Sequence, residues 1–270
     1  LLDEYYLTRA EQAIMDRYAD EMGAQIGEGA MLVEYGSGSS IKTRILLDHL
    51  IDPAAYVPVD ISHRHLHLVA EQLRQDFPQI EILPVTADFT TEFELPTSTA
   101  PSTHAAVYFP GSTIGNFEAD QADSLLRSIA KLCGKGGGLL IGIDLVKDAE
   151  VLERAYDDSS GLTSEFNLNL LHRLRNELDA EIDLDSFEHV AFYSEQESRI
   201  EIYIRSLEDQ TIQIEDEIIE LRNGEMIHTE YSHKYSIEGF AELAARAGLE
   251  LHRFWTDDNE YFAVLHLVVA

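Results

Sequence analysis

Short apolar runs alternate with longer amphipathic stretches through the first half of the chain, and this alternation sets the order of its elements. Ahead of it, Ile14, Tyr18 and Met22 recur at helical spacing behind Thr8-Arg-Ala-Glu11, whose residue types read as a capping box, and Gly23 closes this opening helix. Strands are then predicted at 31–36, 55–61, 80–86, 105–109 and 138–146, with helices at 40–51, 63–76 and 118–133 between them. Such succession predicts a doubly wound α/β fold, a parallel sheet with helices on both faces. Thr90 to His104, rich in Thr, Ser and Pro, replaces a third crossover helix and reads as loop.

After Val146 the pattern changes. Helices at about 148–156 and 162–178 precede extended segments at 188–193, 199–207, 211–222 and 225–232. Asn223-Gly224 joins the last pair and is a hairpin signal. A helix at 237–247 and strands at 249–255 and 261–269 read as a return to the first sheet. The expected organisation is therefore a domain of residues 24–146 plus 236–270 and an inserted α+β domain of residues 1–23 plus 147–235.

Chemistry is expected outside the carboxyl ends of the parallel strands. Gly36-Ser37-Gly38 ends the first strand and opens a helix through Lys42. Two glycines let the main chain pass close to a ligand, and the absence of a third favours the adenosyl and methionyl parts of S-adenosylmethionine over a pyrophosphate. The same turn also serves purely structural ends. Lys42 is placed to meet a carboxylate or to stand as a solvated charge. Asp60 ends the second strand, where it suits ribose hydroxyls or caps the next helix, a task for which Ser62 is better placed. Asp88 and Phe89 offer an acceptor for an exocyclic amine and a ring to cover a base. Tyr108-Phe-Pro-Gly111-Ser-Thr113-Ile-Gly115-Asn116 specifies a nonrepetitive loop over the fourth strand, with Asn116 open to a second reading as a helix cap. Strand alternation puts Glu230 and Ser232 on one face, as a grip on a polar ring or as a solvated surface.

Composition narrows the partners. Fifty acidic against nineteen basic residues, a formal charge of −31, oppose nucleic acid and anionic membrane surfaces. No apolar run reaches a membrane span and no secretory pattern is present, so the cytoplasm is expected. Cys133 reads as a core thiol, and no Cys and His cluster offers a metal site.

Several segments together resemble the histidine-specific N-alpha-methyltransferases of ergothioneine biosynthesis: Glu4-Tyr-Tyr-Leu-Thr-Arg9, the 36–44 turn, Pro58-Val-Asp60, Ala87-Asp-Phe89, Phe109-Pro-Gly-Ser-Thr-Ile-Gly-Asn116, Gly142-Ile-Asp-Leu-Val-Lys147, Ala155-Tyr-Asp-Asp158 and Thr229-Glu-x-Ser232-x-Lys234. The resemblance implies a Rossmann-like class I fold and three methyl transfers from S-adenosylmethionine to the α-amine of L-histidine. The products would be hercynine and S-adenosyl-L-homocysteine. It assigns Gly36, Ser37, Gly38, Lys42, Asp60, Asp88 and Phe89 to the donor. Asn116 and Tyr156 go to the histidine carboxylate, and Gly111 and Thr113 lie near its amine. Tyr6, Glu230 and Ser232 surround the imidazole, with Ile202 where the family's enzymes often carry methionine. It further implies a segment ahead of Glu4 that adds an aromatic residue to the pocket, and a monomer is favoured.

Overall fold

A computed structural model describes residues 4–37 and 41–270. In chain order, the first elements are α1 (Leu7–Ile26), β1 (Ala30–Tyr35), α2 (Ile41–Asp48), β2 (Ala55–Asp60), α3 (His63–Asp76), β3 (Val85–Thr86), β4 (His104–Phe109), α4 (Ala119–Cys133) and β5 (Gly138–Asp144). There follow α5 (Ala149–Tyr156), α6 (Leu162–Glu177), β6 (Phe187–Ser194), β7 (Arg199–Ser206), β8 (Gln210–Ile214), β9 (Glu217–Leu221) and β10 (Met226–His233). The chain ends in α7 (Ile237–Arg246), β11 (Leu249–Thr256) and β12 (Phe262–Val269). Two units divide these elements, residues 7–145 with 235–270 in the larger and residues 4–6 with 146–234 in the smaller.

The larger unit is built on a seven-stranded sheet of order β11-β12-β5-β4-β1-β2-β3. Among the described residues, β12 runs opposite to the other six strands of this sheet. Strand order reverses at β1, which pairs with β2 on one side and β4 on the other, so the turns after β1 and β4 lie at the switch point. Both β1 and β5 are buried along their whole length, as near-continuous apolar runs in a doubly covered sheet must be. Leu32, Val33, Val57, Val107 and Ile141 are fully buried, each worth roughly 1.5–3 kcal/mol of transfer from water.

Some elements differ from expectation. The strand expected at 80–86 shrinks to Val85–Thr86 and an isolated bridge from Ile82 to Tyr56, because Pro84 between them has no N–H to give the ladder. The opening helix is expected with the insert, yet α1 lies in the larger unit. It packs on α2 so closely that a Cβ on Gly23 would stand 2.0 Å from the His49 carbonyl. Glu11 is not a capping residue at all, since its carboxylate is spent elsewhere, as described below.

The smaller unit pairs β6, β7 and β10 in an antiparallel sheet of order β10-β7-β6. Ile200, Ile202 and Ile204 alternate as its buried face, and Ile204 joins Leu171 of α6, Phe187, Ile212 and Leu221 in a small core. The stretch expected as one strand at 211–222 folds back on itself as β8 and β9, turning at Glu215, whose φ is 51°. Asn223-Gly224 does form a turn, with Gly224 at φ 83°, but not a hairpin: β9 already has β8 as partner and β10 pairs with β7.

Candidate active site

On the larger unit, β1 delivers the chain to Gly36, whose φ of 72° disfavours any side chain. Its N–H and that of Ser37 donate to the Val59 carbonyl at 3.0 and 3.3 Å, drawing the turn across the end of β2. Ser37 is buried, with Oγ 3.4 Å from the Tyr56 hydroxyl, so it shapes the turn from inside. Gly38 lies outside the described residues. Asp60 ends β2 half-buried and accepts the Ser62 N–H at 2.7 Å, leaving the N-cap position of α3 to Ser62. Asp88 is exposed and accepts the Thr90 hydroxyl at 2.6 Å and its N–H at 2.9 Å, bonds that hold its carboxyl below the usual range. Phe89 stacks on Tyr35 at 5.0 Å and meets Phe109 edge-on at 5.5 Å.

Lys42 is neither solvated nor unpaired. It is buried against Glu11, whose carboxylate also accepts the Gly111 N–H at 2.9 and 3.1 Å. Beneath the turn, Glu34 accepts the Tyr56 hydroxyl at 2.5 Å and the Thr43 hydroxyl at 2.9 Å. Burial pushes the Glu34 carboxyl up to about 7, against the pull of those two bonds and of Lys42.

After β4 the chain takes two left-handed residues in succession, Gly111 at φ 79° and Ser112 at φ 56°. Ser112 Oγ accepts the Asp144 N–H at 2.9 Å, and Thr113 Oγ1 donates to the Pro110 carbonyl at 3.0 Å. A short 3-10 turn, Thr113–Asn116, leaves Asn116 exposed at its end. The N-cap of α4 is Glu118, whose N–H donates to Gln121 Oε1 at 3.1 Å, so Asn116 is not a helix cap.

In the smaller unit, a cavity of about 520 Å³ is lined by Tyr5, Tyr156, Phe166, Ile202, Thr229 and Glu230 among others. Thr229 is an extra residue on β10, after which Glu230 pairs with Ile202 and Ser232 with Ile200. Glu230 and Ile202 therefore share a face, and the grip expected of Glu230 is set in a cavity wall. Tyr156 Oη lies 2.8 Å from Ser232 Oγ, and the buried Lys234 ammonium donates to both oxygens, at 3.0 and 2.7 Å. Tyr6 is buried and accepts from Lys147 Nζ at 2.6 Å, so it is Tyr5, edge-on to Tyr156 at 5.9 Å, that lines the cavity. Asp158 fixes the start of α6 by accepting the N–H groups of Leu162 and Thr163 at 3.1 and 2.7 Å. Burial alone would raise its carboxyl, but bonds from Ser160, Thr163 and Leu162 prevail and hold it well below the carboxylate range.

Sequence reasoning missed Glu11, Glu34, Lys234 and the α6 contributors Thr163 and Phe166. Only Lys234 left a signal, its place in the Thr-Glu-x-Ser-x-Lys run.

Comparison with known proteins gives this geometry its context. The family model for histidine-specific, S-adenosylmethionine-dependent methyltransferases matches residues 1–269. The histidine N-alpha-methyltransferase of Mycobacterium tuberculosis is 37% identical over 269 residues, covering 97% of this chain and 82% of that protein. The protein of the same name from Mycolicibacterium smegmatis is 38% identical over 265 residues, covering 95% and 80%. A solved S-adenosylmethionine-dependent methyltransferase of Clostridium acetobutylicum shares the fold, with a TM-score of 0.54 at 10% identity over 96% of this chain and 92% of that one. The chain belongs to the family of histidine-specific, S-adenosylmethionine-dependent methyltransferases.

Proposed function

We propose that this protein methylates the α-amine of L-histidine three times in succession, giving hercynine in the cytoplasm as a step of ergothioneine biosynthesis. The observation that carries the reading is the smaller unit's cavity, whose wall sets Glu230 beside Ile202 and includes Tyr156, its hydroxyl in turn bonded to Ser232 and Lys234. A carboxylate can accept an imidazole N–H, an apolar residue can pack on the ring, and the Ser232 hydroxyl can complete its hydrogen bonds. A site built this way rejects side chains that leave its polar groups unpaired.

The residues at the switch point fit the methyl donor. Gly36 carries no side chain at a turn that favours none, Asp60 presents a carboxylate at the end of β2, and Phe89, stacked on Tyr35, supplies an aromatic ring that would cover a base. Asp88 would accept from the adenine amine and Asp60 from the ribose hydroxyls. Lys42 has three N–H donors, of which Glu11 takes one, so a second can reach the donor's carboxylate. S-adenosylmethionine supplies a methyl group on a sulfonium, which moves by in-line displacement.

The chain's own work is then alignment and exclusion of water. In the smaller unit Tyr156 would hold the histidine carboxylate; in the larger, Gly111 and Thr113 shape the loop that ends at Asn116. The amine must arrive without its extra proton, and no covalent nucleophile is needed. The test is incubation with S-adenosylmethionine and a panel of amino acids, followed by mass spectrometry. Histidine gaining one, two and then three methyl groups supports the reading, and preferred turnover of another amino acid overturns it.

A further inference from the structure

Glu11 is fully buried in the second turn of α1, and a buried carboxylate is rare unless something pairs with it. Its partners come from separate segments. The Lys42 ammonium reaches it from the first turn of α2, directly after the glycine-rich turn. The Gly111 N–H reaches both its oxygens from the loop after β4, at 2.9 and 3.1 Å. On β5, a Cβ on Gly142 would stand 2.4 Å from Oε1, so glycine is what admits the carboxylate there.

The loop after β4 needs such a hold. Gly111 and Ser112 are both left-handed, a pairing that persists only when its surroundings impose it. Ser112 is tied to β5 through the Asp144 N–H, and Gly111 is tied to α1 through Glu11. One carboxylate thereby sets the loop in register with the start of α2.

We propose that Glu11 is a positioning residue for methyl transfer, acting by holding the Gly111 N–H and through it the loop that carries Thr113 and Asn116. The inference rests on the assignment of that loop to the acceptor. A purely structural role makes a different prediction, because a buried ion pair replaced by well-packed apolar side chains often leaves stability unchanged or raised.

Two double variants of the full chain separate the roles. Glu11→Gln with Lys42→Met removes both charges but keeps a side-chain carbonyl for Gly111, whereas Glu11→Leu with Lys42→Met removes that acceptor too. Both should melt near the wild-type temperature. With donor and histidine saturating, the loss of Lys42 is common to both variants, and the single-turnover rate of the second should lie roughly 20-fold below that of the first, the scale of a misplaced reacting group. Equal rates in the two variants overturn the proposal. If the leucine variant does not fold, Glu11→Asp decides: it keeps the charge, retracts the acceptor by one methylene, and should lower kcat about tenfold with KM unchanged. A wild-type rate in that variant overturns the proposal as well. Wild-type protein inert toward histidine would defeat the functional reading itself, a result distinct from wild-type turnover with indifferent variants.

Discussion

Replacing Glu34 by Gln should uncover a pH dependence of stability that the wild-type protein hides. Glu34 is fully buried, and its carboxyl moves from an ordinary 4.5 to about 7. Below pH 4.5 it is protonated in both the folded and the unfolded chain. As the pH climbs to 7, only the unfolded chain ionises it, so folded stability is lost, by about 3 kcal/mol in all. His266 does the opposite. Burial, aided by His252 and His104, brings its imidazole from 6.5 down to about 4, and its Nδ1 is buried with no hydrogen-bond partner. Above pH 6.5 it is neutral in both states, and as the pH falls toward 4 only the unfolded chain takes the proton, again at a cost of about 3 kcal/mol. Between these limits the two contributions oppose each other. In Glu34→Gln the amide oxygen still accepts from Tyr56 and Thr43 while the ionisation is gone. The variant should gain on the wild type steadily from pH 4.5 to 7, and its own stability should rise with pH through the His266 window. Urea denaturation midpoints measured at closely spaced pH values on both proteins give the difference directly. A difference that does not change with pH would refute the reasoning.

Glu230→Ala should lower histidine turnover roughly 100-fold by stranding the imidazole N–H, while calorimetry finds S-adenosylhomocysteine affinity within about threefold of wild type. Full histidine activity in that variant would remove Glu230 from the acceptor site. Gly142→Ala forces a methyl group to 2.4 Å from Glu11 Oε1 and 2.9 Å from the Phe262 ring, and should cost about 1–3 kcal/mol of stability, read as a lower Tm. Asp158→Ala strips the first N–H groups of α6 of their acceptor and should cost about 2 kcal/mol. Because Thr163 lines the cavity, the KM for histidine should rise in the same variant.

β1 and β5 were legible because both faces of the sheet are covered, which makes them near-continuous apolar runs broken only by Glu34 and Asp144. That Glu230 and Ser232 share a face was legible because strand alternation sets it, and their partners Ile202 and Ile200 stand two apart on one antiparallel ladder. What escaped was long-range. Glu11 meets Gly111 across one hundred residues, and its local spacing after Thr8 supports a different and wrong role as a helix cap. Tyr5 and Tyr6 are adjacent and chemically identical, so only packing distinguishes the one in the cavity wall from the one bonded to Lys147. Asn223-Gly224 announced a turn correctly, but a turn does not choose which strands pair.

The extra residue at Thr229 lets one strand work in two phases. Cross-strand partners share a face, so His228 lies with Tyr203 on one side of the sheet while Ile227 and Glu230, three positions apart, lie with Ile204 and Ile202 on the other. Uninterrupted alternation would put residues three apart on opposite faces. With the slip, β10 contributes an apolar side chain to the small unit's core at one end and polar ones to the cavity at the other. Neither environment receives a residue meant for its neighbour. Removing Thr229 would take one lining residue from the cavity and return β10 to plain alternation, with Ile227 and Glu230 two apart on the same face.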